Sequence, residues 1–341
     1  MTRVQRLKTA SVFVGAIVGA GFATGREIIL FFGNGGFLAP LATGIAMGFC
    51  SSLFLYVGRI AARLKKKGVF CGTFFNVCKF AFFAVVGICL LLTLTTMTGG
   101  MQSLFGDTVG GRITGFALAA LCVGTSSFGA KAVSRINLAL VPLLFALLAF
   151  LFAKSSKQIF ALPFDLSSSV GYLSMNMLLG GCLAVKDGEK ATTSDMLRIG
   201  ALCAAVLGLM TFFVYCVASD YPGSDMPVYS LCAAHGLGAL GALAVGIAVL
   251  TTLAGAAKSL GDAMYAVVPS RAGVTAALLL LTLASYGWDF AGAVALFYPF
   301  IAAVASGVFA LTFAVFAGYS LFARAAGAAR KRKKPPVEDG L

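Results

Sequence analysis

The sequence predicts an all-α integral membrane protein with about ten transmembrane helices. Three observations carry this reading. Hydrophobic residues fill 60% of the 341 positions, charged residues only 11%, and mean hydropathy is +0.96, whereas soluble domains carry about 25% charged residues. Apolar runs of the roughly 20 residues needed to span a hydrocarbon core take up nearly the whole length. The basic residues cluster at alternate ends of those runs, as topology signals do.

Taken in order, the runs place helices at 8–33, 37–62, 71–98, 111–129, 133–153, 167–185, 196–219, 228–257, 272–288 and 290–322. Short loops punctuated by Pro40, Pro163, Pro222 and Pro227 connect them. The first run follows basic residues and imitates a signal peptide, but it continues past Phe32 without a small-residue cleavage site and reads as a retained helix. One set of helix ends holds 21 of the 26 basic residues and the other only Arg112, Lys154 and Lys157. This split predicts cytoplasmic amino and carboxyl termini, in agreement with an even helix count. Residues 1–322 then form one transmembrane domain, and 323–341 a basic cytoplasmic tail whose Arg330–Lys334 cluster would anchor to anionic lipid.

The first helix contains the stretch Gly15–Glu27, GAIVGAGFATGRE, with Gly15, Gly19, Gly21 and Gly25 within eleven positions. Glycine costs roughly 1 kcal/mol against alanine in a helix interior. Two readings stay open here. Gly15 and Gly19 form a GxxxG pair that would let a neighbouring helix approach closely, with Arg26 and Glu27 snorkelling outward. Alternatively the helix is discontinuous, and its freed backbone groups bind a solute and an ion near mid-membrane. The sixth run is short, carries Ser174 and Asn176, and ends in Gly180-Gly181. Interrupted segments at matching places in two halves point to a transporter site. The halves would be repeats at about 8–153 and 167–322, inverted because each has five helices.

In the eighth run Thr251 and Thr252 are adjacent hydroxyls in an apolar context. They either back-bond to their own helix or contribute to a cation site, since hard cations take oxygen ligands. Thr93, Thr95 and Thr96 make a similarly ambiguous stripe in the third helix, and Thr125, Ser126 and Ser127 are expected to cap the fourth. Nine cysteines without a CxxC pair and one histidine, His235, predict neither disulfides nor a transition-metal site. No cofactor is expected. The net charge of +14 is spread over helix ends, so nucleic acid is not an expected partner.

In its helix count, the GAIVGAGFATGRE stretch, the short sixth helix and the Thr-Thr pair, the chain resembles the YkvI family of bacterial membrane proteins. That family belongs with the amino acid–polyamine–cation superfamily and its LeuT-like fold. The resemblance implies two inverted five-helix repeats with discontinuous helices 1 and 6. It also implies a substrate site made by the backbone of Gly19, Ala20 and Gly21 with Ser174, Met175 and Asn176, to which Glu27 would add a group that binds an amine or carries a proton. A sodium site would use Gly15 and Val18 with Ala248, Thr251 and Thr252. Arg26 stands where the family pattern has glutamine and is a candidate gate.

The expected function is secondary active transport of a small polar or zwitterionic, amino-acid-like solute by alternating access, coupled to Na⁺ or H⁺, across the bacterial cytoplasmic membrane. The alternative is a membrane solute sensor that uses the same pocket without net transport. No GxxxxGK[ST] or HExxH sequence occurs, and Asp262 lacks a second intramembrane aspartate, so an enzyme is not expected.

Overall fold

The computed structural model describes residues 1–33, 36–66, 73–106, 108–126, 130–155, 165–185, 187–265 and 270–332. Ser127 and the tail end at 333–341 lie outside them. The described residues form thirteen α-helices: α1 (Arg3–Ile17), α2 (Ala20–Thr24), α3 (Arg26–Phe32), α4 (Leu38–Lys66), α5 (Thr73–Leu104), α6 (Val109–Ser126), α7 (Ala130–Phe152), α8 (Leu166–Val185), α9 (Thr193–Ala218), α10 (Pro227–Ala234), α11 (Gly238–Met264), α12 (Arg271–Ala284) and α13 (Phe290–Arg332). Among the described residues, five stretches are long and apolar enough to cross a membrane: Leu38–Arg63, Ala84–Leu104, Thr193–Ala218, Gly238–Asp262 and Phe290–Leu311. Val109–Thr125, Leu140–Phe152 and Arg271–Ala284 are shorter apolar helices.

The first predicted helix is discontinuous, divided into α1, α2 and α3. The sixth is not. Contrary to the expectation, α8 runs unbroken from Leu166 to Val185. The physical reason lies in what Gly180 touches: a Cβ there would sit 3.1 Å from Ile17 Cγ1, so this glycine admits α1 to close contact. Backbone groups in hydrocarbon keep their helical partners unless others are supplied. The eighth run departs in the other direction. It divides into α10 and α11 at His235–Leu237, where Gly236 takes φ 73°, a left-handed conformation that favours glycine. The last helix extends to Arg332, ten residues past the expected end, through the alanine-rich 323–329 segment, alanine being the best helix former.

Helix α4 packs tightly against α9 through small residues from both sides. A Cβ on Gly48 would lie 2.1 Å from Ala204 N, one on Gly44 2.0 Å from Thr211 Oγ1, and one on Gly200 2.0 Å from Ser52 Oγ. Ser52 donates across the pair to Met196 O at 2.7 Å. Such contacts drive association where lipid removes the hydrophobic difference between helix faces.

The start of α1 is held to α9 by Asp195. Its carboxylate accepts from the Met1 nitrogen at 2.9 Å, Arg6 Nη1 at 3.2 Å and the Thr192 hydroxyl at 2.7 Å, and Thr192 closes the cap of α9. Thr9 donates to Asp187 at 2.6 Å. At the other end of the bundle, Gln102 of α5 accepts from Gly287 N at 3.0 Å and fastens the turn between α12 and α13. The threonine stripe of α5 needs no ligand to explain it. Thr93, Thr95 and Thr96 each donate to the carbonyl four residues back. Thr125 likewise bonds Leu121 O and Cys122 O.

Replacing Gly48 by alanine drives a methyl into the Ala204 backbone and is expected to cost about 1–3 kcal/mol. Gly255→Ala, whose Cβ meets nothing within 4 Å, is expected to be neutral or stabilising. Thermal unfolding of both variants in the same detergent checks the contrast.

Candidate functional site

Helix 1 breaks twice. After Ile17 the chain turns through Val18 (φ −76°, ψ 65°) and Gly19 (φ −93°, ψ −163°) before α2 begins. Gly19 N–H bonds Ile17 O at 2.8 Å, so it does not continue the helical ladder. Ala20 N–H, at the start of α2, donates to Thr252 Oγ1 at 3.0 Å. Thr252 in turn donates to Ala248 O at 2.9 Å. The hydroxyl therefore bridges the break to the middle of α11, which explains why Gly19 must be small: a Cβ would lie 2.7 Å from the same oxygen.

The second break is at Gly25, with φ 79°. A side chain there would be strained, and its Cβ would also meet Ala218 at 2.8 Å and Val228 at 3.0 Å. Thr24 donates to Gly21 O at 3.0 Å and receives Arg26 N–H at 3.3 Å. The Arg26 guanidinium leaves the helix and donates to Pro222 O at 3.1 Å and Ser224 O at 3.2 Å, joining α3 to the loop between α9 and α10.

A buried polar cluster, centred on Glu27 just past the second break, covers the segment between the two breaks. Glu27 is 7% exposed, and its carboxylate covers Gly21 so closely that a Cβ there would sit 1.6 Å from Oε1. Tyr298 of α13 reaches the carboxylate with its hydroxyl, and Tyr172 of α8 stands close enough to feel its charge. Tyr172 is fully buried and packs on Phe31 and Phe32 with ring centroids 5.4 and 5.3 Å away. Its hydroxyl lies near the Asn176 side chain without making a hydrogen bond of ordinary geometry. Buried polar groups without partners are uncommon in proteins. A carboxylate and two phenols gathered this way can hold a cation, an ammonium group or a proton.

The predicted residues divide accordingly. Gly19, Ala20, Gly21, Glu27 and Thr252 come together at helix 1. Asn176 shares the helix face of Tyr172, one turn on, and donates to Tyr172 O at 3.0 Å. Ser174, about 200° round the helix from Tyr172 at 100° per residue, is buried with an unpartnered hydroxyl, and Met175 is buried as well. Thr251 is buried and donates to its own helix at Ala248 O, 3.0 Å away. Gly15 and Val18 are buried at the end of α1, where Val18 N–H bonds Val14 O at 2.8 Å. Sequence reasoning passed over Tyr172 and Tyr298. A tyrosine beside Pro299 within an apolar run was the available signal for the latter.

A cleft of about 840 Å³ opens beside the cluster, between α3, the start of α8 and the middle of α13. Phe31 and Gly171 line it together with Pro299, the neighbour of Tyr298, and with Ser167, Ser168 and Ser306. This volume falls within the range of small-molecule sites, about 300–1,000 Å³.

No protein-family model matches the chain. Among curated proteins, the uncharacterized membrane protein YkvI of Bacillus subtilis (strain 168) is 28% identical over 220 residues, covering 58% of this chain and 61% of that protein. The match thus spans less than two thirds of the relative's length. With the five long apolar helices, it makes this chain a helical membrane protein embedded in a lipid bilayer.

Thr252→Val keeps the shape of the side chain and removes the acceptor for Ala20 N–H. It is expected to lower stability by about 1–3 kcal/mol. Thr251→Val, at a hydroxyl that bonds its own helix, should cost less. Unfolding midpoints of the two variants, measured side by side, give the comparison.

Proposed function

We propose that the protein is a secondary active transporter that carries a small polar or zwitterionic solute, amino-acid-like in charge, by alternating access. The observation that carries this reading is the doubly broken first helix with Glu27 buried against Gly21. Non-helical backbone at membrane depth is tolerated where it is buried in protein or lines a polar cavity, and broken helices mark the binding sites of many transporters. The amides of α2 that follow Ala20, whose own N–H is held by Thr252, would face the carboxylate of such a solute, as helix N-termini favour anions. Glu27, with Tyr298 and Tyr172, would face its ammonium group or carry a coupling proton. Thr251, Thr252 and Ala248 would serve a coupling Na⁺ together with carbonyls of Gly15 and Val18. The setting we propose is the bacterial cytoplasmic membrane with both termini cytoplasmic, in keeping with the distribution of basic residues.

Continuity of α8 bears on how such a carrier would move. One interrupted helix, rather than two, would change conformation, with α8 acting as a fixed wall and Arg26 as the gate on α3.

Uptake of labelled amino acids into proteoliposomes, with sodium and proton gradients imposed separately, tests the proposal. Accumulation above the external concentration is expected under one of the gradients. Binding without accumulation would favour a sensor and overturn the transport reading. Glu27→Gln is expected to abolish uptake or remove its proton dependence. Thr251→Ala combined with Thr252→Ala is expected to remove any sodium dependence.

A further inference from the structure

A second crevice lies at the opposite end of helix 1 from Arg26. Arg3 and Arg6 of α1 and Arg198 of α9 line it with Leu7, Ile199 and Leu202, enclosing about 350 Å³. Arg6 is bonded to Asp195. That carboxylate also takes the Met1 nitrogen and Thr192, which leaves it little capacity for further cations. Among the described residues, Arg3 and Arg198 are exposed and carry no ion pair. Below the guanidiniums the surface is apolar: Leu7 is 49% and Leu202 39% exposed. The crevice sits where the apolar stretch Thr193–Ala218 begins, and therefore at the boundary between headgroups and acyl chains.

We propose that this crevice binds one anionic phospholipid. Its phosphate lies among Arg3, Arg6 and Arg198, and an acyl chain runs down the leucine surface between α1 and α9. Guanidinium pairs with phosphate oxygens through two parallel hydrogen bonds, and basic pockets between transmembrane helices favour anionic headgroups. A free phosphate ion would use the arginines alone and leave the leucines without a role. A zwitterionic lipid would bring its ammonium group against three guanidiniums. The bound lipid joins the stem of the broken helix to α9. This inference does not depend on the transport reading.

Native mass spectrometry of the full chain, released from nanodiscs holding equal amounts of phosphatidylglycerol and phosphatidylcholine, tests it. Retention of one phosphatidylglycerol is expected, with a preference that falls roughly twenty-five-fold in R3A/R198A, since each basic residue at an anionic surface contributes about fivefold. R3K/R198K should keep part of the preference. A tail variant, R330Q/K331Q/R332Q/K333Q/K334Q, should keep all of it. Unchanged retention in R3A/R198A would overturn the proposal, as would loss in the tail variant alone. So would thermal stabilisation by inorganic phosphate equal to that by phosphatidylglycerol. Should R3A/R198A fail to fold, R3Q and R198Q singly, both at exposed positions, give the same test.

Discussion

Ala20 N–H lies at the start of α2, fully buried and out of reach of water. The break after Ile17 removes its helical acceptor, and an unsatisfied amide in hydrocarbon costs several kcal/mol. The Thr252 hydroxyl meets this demand while still donating to Ala248 O. Much of the neighbouring structure follows from that bridge. Gly19 has to be glycine for the oxygen to approach, α2 has to lie against α11, and α3 is redirected so that Glu27 folds back over Gly21. An interrupted helix is stable here because another helix completes its hydrogen bonding.

The rest of the bundle supplies the rigidity against which such a break can be held. Small residues bring α4 and α9 together almost backbone to backbone, and Asp195 and Asp187 fix the start of α1 to the same body. Gly180 lets α8 rest on Ile17. The stem of helix 1 is thus clamped on two sides, while α2 and α3, five and seven residues long, depend on contacts with other elements. Helices that short have little intrinsic stability.

What the sequence revealed about this arrangement depended on glycine. Four glycines within eleven residues, followed by Arg26 and Glu27, made the interruption of helix 1 legible, and the adjacent threonines marked the place on α11 that closes it. The same signal misled at Gly180-Gly181. Composition cannot distinguish a glycine that frees the backbone from one that admits a neighbour; that difference is set by the packing partner, here Ile17. Tyr172 and Tyr298 were hidden for another reason. In an apolar run a tyrosine reads as one more large hydrophobe, and its hydroxyl gains meaning only when three distant segments converge on one carboxylate. The threonines of α5 show the converse, a polar stripe that spends its hydroxyls on its own carbonyls.

Arg26 ties the dynamics of two regions together. Its guanidinium holds Pro222 O and Ser224 O, and the segment carrying it hangs from the left-handed Gly25. Hydrogen bonds to charged groups are worth about 1.5–3 kcal/mol each. Swinging α3 outward by itself would therefore forfeit both. Moving the α9–α10 loop in step with α3 preserves them. The α9–α10 loop and α3 are thus coupled through Arg26, and whatever displaces the loop weakens the hold on α3.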